Sequence, residues 1–202
     1  MVTQNCNNYT TGAAGTVLTG TGVGTTPTFQ TPASGSMVLI SSQTASASAN
    51  IAWTSGITSS YSYYEIIYYG VTTSNNSITF LLTVSTNGGS TYSSTTYYQS
   101  GFQVSSNTSI TLGNFNLNNT TSWTVATGVS NSSTGSANGK IQLFNLPSAS
   151  LNKNIIFTGI NQYQGATEAM TLSGAGMWAT TTAVNALKIT PSAGTLTLGT
   201  FN

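Results

Sequence analysis

Very few side chains in this 202-residue chain could carry out acid–base chemistry. The charged ones are Glu65, Glu168, Lys140, Lys153 and Lys188, and the sequence contains no Asp, Arg or His. General acid–base catalysis requires a group with a tunable pKa beside the reacting atom, and a glycoside hydrolase requires two carboxylates about 5 to 9.5 Å apart. The two glutamates form the one pair available, and nothing in the sequence brings them together. We expect each to be a surface charge or the partner of a lysine, and we predict no catalytic residues and no enzymatic activity.

The other charge-dependent functions also lack their residues. Zinc requires Cys, His or carboxylate clusters and calcium loops require several Asp or Glu, so we predict no metal and no cofactor. Three scattered lysines cannot form the basic patch that binds nucleic acid. The chain shows no 18-residue apolar run and no leader-like start, which argues against membrane insertion and Sec-type export. The lone Cys6 cannot form an internal disulfide.

Aromatic and hydroxyl chemistry remains. Ten Tyr, seven Phe and three Trp accompany many Ser, Thr and Asn residues, and rings with polar tips combined with hydroxyls can recognise sugars. We expect most rings in the core or in an interface, and in an adjacent pair on a strand one ring points each way. Assigning the Ile66 side of residues 61–69 to the core leaves the odd-numbered rings outside. The candidate ligand-binding residues are Tyr61, Tyr63, Tyr69, Tyr97, Tyr98 and Trp123.

The residue pattern predicts an all-β protein. Thr, Val, Ile and Tyr favour strands, and short strands every 8–12 residues indicate a sandwich, a jelly roll or a barrel. Residues 37–40 read as a short buried strand, and residues 61–69 as a central strand covered on both faces. Asn87-Gly88-Gly89 predicts a hairpin between strands at 78–86 and 92–99.

Two segments differ in composition. Residues 1–35 are rich in Gly and Thr, which suits an extended arm that becomes ordered when it packs on something else, and residues 36–202 form one β domain. Exposed sheet edges are usually protected by charge or Pro, and three Lys with four Pro are too few. We therefore expect the protein to form an oligomer.

The arm resembles a motif of phage and virus fibre proteins, G-x-VL-T-x-x-G-x-G-x-x-P-T-F, through the residues from Gly15 to Phe29. Residues 39–46, 51–57, 61–66, 84–92 and 184–194 resemble the β domain commonly joined to that motif. The resemblance implies an antiparallel, jelly-roll-like β-sandwich, usually a homotrimer, displayed on a virion fibre. In this reading residues 1–35 dock to virion proteins or wind with their counterparts in the trimer. The candidate attachment residues of the arm are Val17, Leu18, Val23, Pro27 and Phe29.

These observations predict a fibre or fibre-tip protein, most simply of a phage, that attaches to a host surface component such as a glycan. We expect it in the virion after synthesis in the host cytoplasm. Two alternatives stay open. The chain could be a purely structural decoration of a capsid or tail, or a surface filament subunit whose arm completes the sheet of a neighbour.

Overall fold

The structure, a computed structural model, describes residues 13, 16–20, 24, 26–30, 37–106, 112–163 and 167–202, with the backbone alone at 112–115. These residues form fourteen strands, and the described chain has no helix long and apolar enough to cross a membrane. The strands are β1 (Val17–Thr19), β2 (Thr28–Gln30), β3 (Gln43–Thr44), β4 (Ile51–Trp53), β5 (Tyr63–Thr73), β6 (Ile78–Ser85), β7 (Tyr97–Ser105), β8 (Leu112–Thr120), β9 (Trp123–Val129), β10 (Ala137–Phe144), β11 (Lys153–Gln162), β12 (Ala169–Trp178), β13 (Ala186–Pro191) and β14 (Leu196–Phe201). The chain divides into two compact units, Met1–Leu39 and Ile40–Asn202.

The first unit contains a small antiparallel hairpin. β1 pairs with β2, and Leu18 lies opposite Phe29. Val17, Leu18 and Phe29 are exposed, and so is Pro27. Cys6 and Val23 lie outside the described residues. A two-stranded hairpin alone is marginally stable in water.

The second unit is an antiparallel β-sandwich, which confirms the predicted fold class. Its larger sheet has eight strands in the order β3-β14-β5-β10-β11-β12-β7-β8. The smaller sheet has four, in the order β4-β13-β6-β9. Buried side chains alternate with exposed or half-buried ones along the long strands such as β5, β6 and β11, as expected when one face of a sheet packs on a core.

The strand order is that of a jelly roll with one inserted hairpin. Eight strands in chain order, β4, β5, β6, β7, β8, β9, β12 and β13, divide between the sheets as first-eighth-third-sixth and second-seventh-fourth-fifth. This is the double Greek-key arrangement of jelly rolls. The β10–β11 hairpin lies between the second and seventh strands and widens that sheet, which enlarges its outward surface.

Aromatic rings fill the space between the sheets. Tyr68 packs against Phe80 and Phe201, with ring centroids 6.1 and 6.0 Å away. Tyr97 meets Trp123 edge-to-face at 5.0 Å. Tyr64, Ile66 and Tyr68 are all buried, which confirms the prediction that the Ile66 side of this strand faces the core.

Three local predictions are wrong. Residues 61–69 are covered on one face only, because the alternate side chains Ile67 and Tyr69 are exposed. The apolar run 37–40 is exposed and lies outside the strands. Four apolar residues in a row favour burial, but whether they pair as a strand depends on which sheet edge the fold brings beside them.

The predicted hairpin at Asn87-Gly88-Gly89 is the third. Gly88 and Gly89 do adopt the expected positive φ values of 71° and 86°. However, β6 belongs to the smaller sheet, and the chain crosses to the larger sheet before β7 begins at Tyr97. A local turn signal specifies a reversal of the chain, while the sheet that receives the next strand depends on the rest of the fold.

Candidate functional site

Two of the predicted ligand-binding residues belong to the core. Tyr97 and Trp123 are both 0% exposed, so they cannot contact a ligand on the surface, and this corrects the prediction. The Tyr97 hydroxyl accepts a hydrogen bond from the Val84 amide at 2.9 Å and donates to the Ser93 carbonyl. Burial raises the pKa of Tyr97 to about 12.

The outward surface of the larger sheet carries three other predicted residues. We call this surface the outer face; it consists of the outward-pointing side chains of β5, β10, β11, β12 and β7. Tyr63, Tyr69 and Tyr98 lie on it, on β5 and β7. Tyr61 precedes β5, is exposed, and packs edge-to-face on Tyr64 at 6.0 Å.

The outer face mixes large apolar side chains with hydroxyls. Its exposed large apolar residues are Ile67, Tyr69, Phe102, Ile156 and Ile160. The strand registers place Ile67, Lys140, Thr158, Ser173 and Phe102 in one row across five strands. Three polar side chains separate the two apolar residues at the ends of this row, so the outer face intersperses exposed apolar groups with hydroxyls.

The charge on the outer face is compensated. Lys140 Nζ lies 3.5 Å from Glu65 Oε2, and the Tyr63 hydroxyl donates to the same oxygen at 2.5 Å. Gln142 Nε2 donates to the Tyr63 hydroxyl at 3.0 Å. Partial burial and the bond to Glu65 raise the pKa of Tyr63. Glu65 is thus the partner of a lysine, as expected, and the Tyr63 hydroxyl is already engaged.

The two glutamates lie far apart. The registers align Glu65 with Ala175 on β12, three strands away, or about 14 Å at the usual strand spacing. Glu168 lies seven residues before Ala175 along the chain and accepts a hydrogen bond from Ser105. Their separation therefore exceeds that of a glycosidase carboxylate pair.

The other lysines also have partners within the chain. The buried Lys153 ammonium donates to the carbonyls of Ser148, Leu151 and Thr181, and its burial lowers the lysine's pKa. Lys188 Nζ lies 4.1 Å from the centroid of the Tyr92 ring. All five charged side chains are therefore engaged in internal contacts.

A pocket opens where β6 and β12 end. It has a volume of about 280 Å³ and is lined mostly by hydroxyl side chains. The lining residues are Val84, Thr86, Thr91, Tyr92, Ser93, Trp178, Thr180 and Thr182. Sequence reasoning did not find this pocket, because residues so distant along the chain meet only in the folded protein; the one local signal was the adjacent Asn-Gly-Gly turn.

Within the described residues, no group of three or more His, Cys, Asp or Glu could hold a metal ion. No family model matches the chain, and neither a curated protein nor a solved structure does.

Proposed function

We propose that this chain is a non-catalytic attachment protein: a fibre or fibre-tip component of a virion, most simply of a phage, that assembles as a homotrimer. It recognises a host surface component such as a glycan through rings and hydroxyls. The observation that carries this proposal is the outer face, a wide surface of exposed rings, aliphatic side chains and hydroxyls with its charges paired.

The engaged charges support a non-catalytic role. Glu65 is bound to Lys140 and Tyr63, and Lys153 is buried among carbonyls. A general acid or base must reach a substrate proton. Side chains held by internal partners supply rigidity instead, which suits a binding protein.

The outer face and one sheet edge support self-association. Ile67 on β5 and Ile156 and Ile160 on β11 are exposed aliphatic residues on two strands that only β10 separates. A second copy is an occupant that, like this face, carries little net charge. The edge strand β8 contains no charged residue and no proline, two features that commonly protect an edge against pairing. Contacts between copies at these isoleucines and along β8 would cover both surfaces, and would leave the remaining rings and hydroxyls of the outer face open to the host component.

The N-terminal hairpin supports a separate attachment role. Its exposed Val17, Leu18 and Phe29 provide an apolar surface for contact with virion proteins. In a trimer with many copies per particle, weak individual contacts with a host would be multiplied by avidity.

Two measurements on the purified protein test this proposal together. We expect a trimeric mass by light scattering at micromolar concentration, and binding to a broad glycan array that changes less than threefold between 0.05 and 0.5 M salt, because few charges are available for screening. A monomer at these concentrations, or binding that disappears in salt, would contradict it.

The same outer face also favours a second function. An apolar surface suits contact with other virion proteins, which would make the chain a structural decoration of a capsid or tail. In that case the array would give no hits, while the protein would bind tightly to virions that lack it.

A further inference from the structure

We infer that the pocket at the ends of β6 and β12 is a binding subsite for a neutral saccharide. This inference rests on the proposed attachment function and adds to it the place on the molecule and the chemical class of the ligand. It depends on three features of the pocket, namely its unpaired hydroxyls, its rigidity and its lack of an available charge.

Four hydroxyls in the pocket are uncommitted. Within the described chain, the side-chain hydroxyls of Thr86, Tyr92, Thr180 and Thr182 make no hydrogen bond. Each hydroxyl can both donate and accept, as can each hydroxyl of a sugar. A cluster of such groups around one cavity therefore matches a polyhydroxyl ligand better than a ligand with only acceptors or only apolar surface.

The loop beside the pocket is held rigidly. Ser85 Oγ accepts hydrogen bonds from the amides of Asn87 and Gly89, at 3.3 and 3.0 Å. The Asn87 side chain binds the Thr91 hydroxyl at 2.8 Å and accepts from the Thr91 amide at 3.0 Å. Binding to a preformed site avoids the entropic cost of ordering a loop.

Gly89 and Trp178 also hold the pocket wall in position. A side chain at Gly89 would meet the Tyr92 hydroxyl at 2.9 Å, so only glycine leaves this ring in its position. The indole nitrogen of Trp178 donates to Ser93 Oγ at 3.2 Å and to the Thr95 carbonyl at 3.1 Å. The pocket wall is therefore fixed on both the β6 and the β12 sides.

The lining residues carry no charge, which indicates a neutral ligand. Lys188 is the cation nearest to the lining tyrosine, and it lies over the Tyr92 ring. Partial burial raises the pKa of Tyr92, and its hydroxyl can donate at neutral pH, as tyrosine hydroxyls ordinarily do. The volume of about 280 Å³ lies just below the range of roughly 300–1,000 Å³ for small-molecule sites, which suits one or two sugar rings.

The test removes hydroxyls without changing shape. A Thr86→Val, Thr182→Val double variant keeps the branched side chains and loses two hydrogen-bonding groups. Its matched control is Thr79→Val with Thr134→Val, two threonines that belong neither to the pocket lining nor to the outer face. The probes are glucose, galactose, N-acetylglucosamine and their neutral disaccharides, with glucuronic and N-acetylneuraminic acid as charged counterparts, followed by saturation-transfer NMR titration.

We expect the wild-type protein to bind at least one neutral sugar more tightly than the acids, and the pocket variant to bind it about tenfold more weakly, the effect of losing two hydrogen bonds. The control variant should bind like the wild type. If the pocket variant binds the sugar as tightly as the wild type, or if only the control variant loses binding, the pocket is not the saccharide site. The proposed attachment function would still stand. Absence of wild-type binding to every probe overturns the pocket; if the broad glycan array is also blank, the proposed attachment function fails with it.

Discussion

Adjacent tyrosines on β5 show how differently the two faces of the larger sheet are used. Tyr68 is 1% exposed, packs between two phenylalanines, and donates a hydrogen bond to the Val125 carbonyl. Tyr69 is 48% exposed. The same residue type therefore serves the core at one position and the surface at the next.

The outer surface of the smaller sheet sharpens this contrast. It carries half-buried threonines such as Thr79 and Thr83, and none of the four strands of that sheet, all fully described, bears an exposed large apolar residue. Apolar exposure within the sandwich sheets is thus confined to the larger one. Within the two sheets, exposed rings therefore belong to the outward surface of the larger sheet. This arrangement suits a partner on the larger sheet and solvent on the smaller one.

The largest expected effect distinguishes the two tyrosines of β5. Tyr68→Ala should lower the free energy of unfolding by about 3–5 kcal/mol, because it leaves a cavity in the core. Tyr69→Ala should change it by no more than about 0.5 kcal/mol. Urea denaturation measures both values, at protein concentrations too low for assembly. Equal losses of unfolding free energy in the two variants would show that the two faces do not differ as described.

Alkaline pH should lower the stability of the fold by ionising the tyrosines buried on the inner face of the larger sheet. Burial raises the pKa of Tyr97 from 10 to about 12 and raises that of Tyr68 as well. Since both values lie above those of the unfolded chain, their contribution to stability is complete below pH 10 and is lost as the pH rises through the folded-state values. For Tyr97 the loss is at most about 3 kcal/mol.

Lys153 changes stability in the opposite sense. Burial lowers its pKa, so its cost to folding is present below the folded-state pKa and disappears as the pH approaches 10.5. The net loss of stability should therefore appear above about pH 10.5. Ultraviolet titration of the tyrosines with circular dichroism measures this, and simultaneous ionisation of all ten tyrosines near pH 10 with the fold intact would contradict it.

A smaller effect is expected from a charge on the outer face. Ile156→Lys should raise the dissociation constant of the oligomer at least tenfold, about 1.4 kcal/mol, because an unpaired charge would be buried between copies. Thr79→Lys, on the smaller sheet, is the matched control and should leave assembly unchanged. Sedimentation velocity measures both, and an effect of Thr79→Lys alone would move the interface to the other surface.

Local alternation was enough to predict much of the fold. The Ile66 side of β5 was correctly assigned to the core, because side chains of a strand alternate between faces. The outward positions of Tyr63 and Tyr69 follow from the same alternation. For Tyr97 and Tyr98 the alternation said only that the rings point apart, and burial of Tyr97 under Trp123 could not be read from the pair itself.

Composition and periodicity by themselves determined an all-β chain that is nearly devoid of ionised groups. They also determined which residues of β5 share a face, since both properties depend on residue type and on neighbours along the chain. Only the tertiary structure decided that the glycine turn at residues 87–89 leads from one sheet to the other, that Trp123 is core, and that Thr86 and Thr182 meet at one pocket. Those outcomes depend on contacts between residues distant in sequence, which each local pattern leaves undetermined.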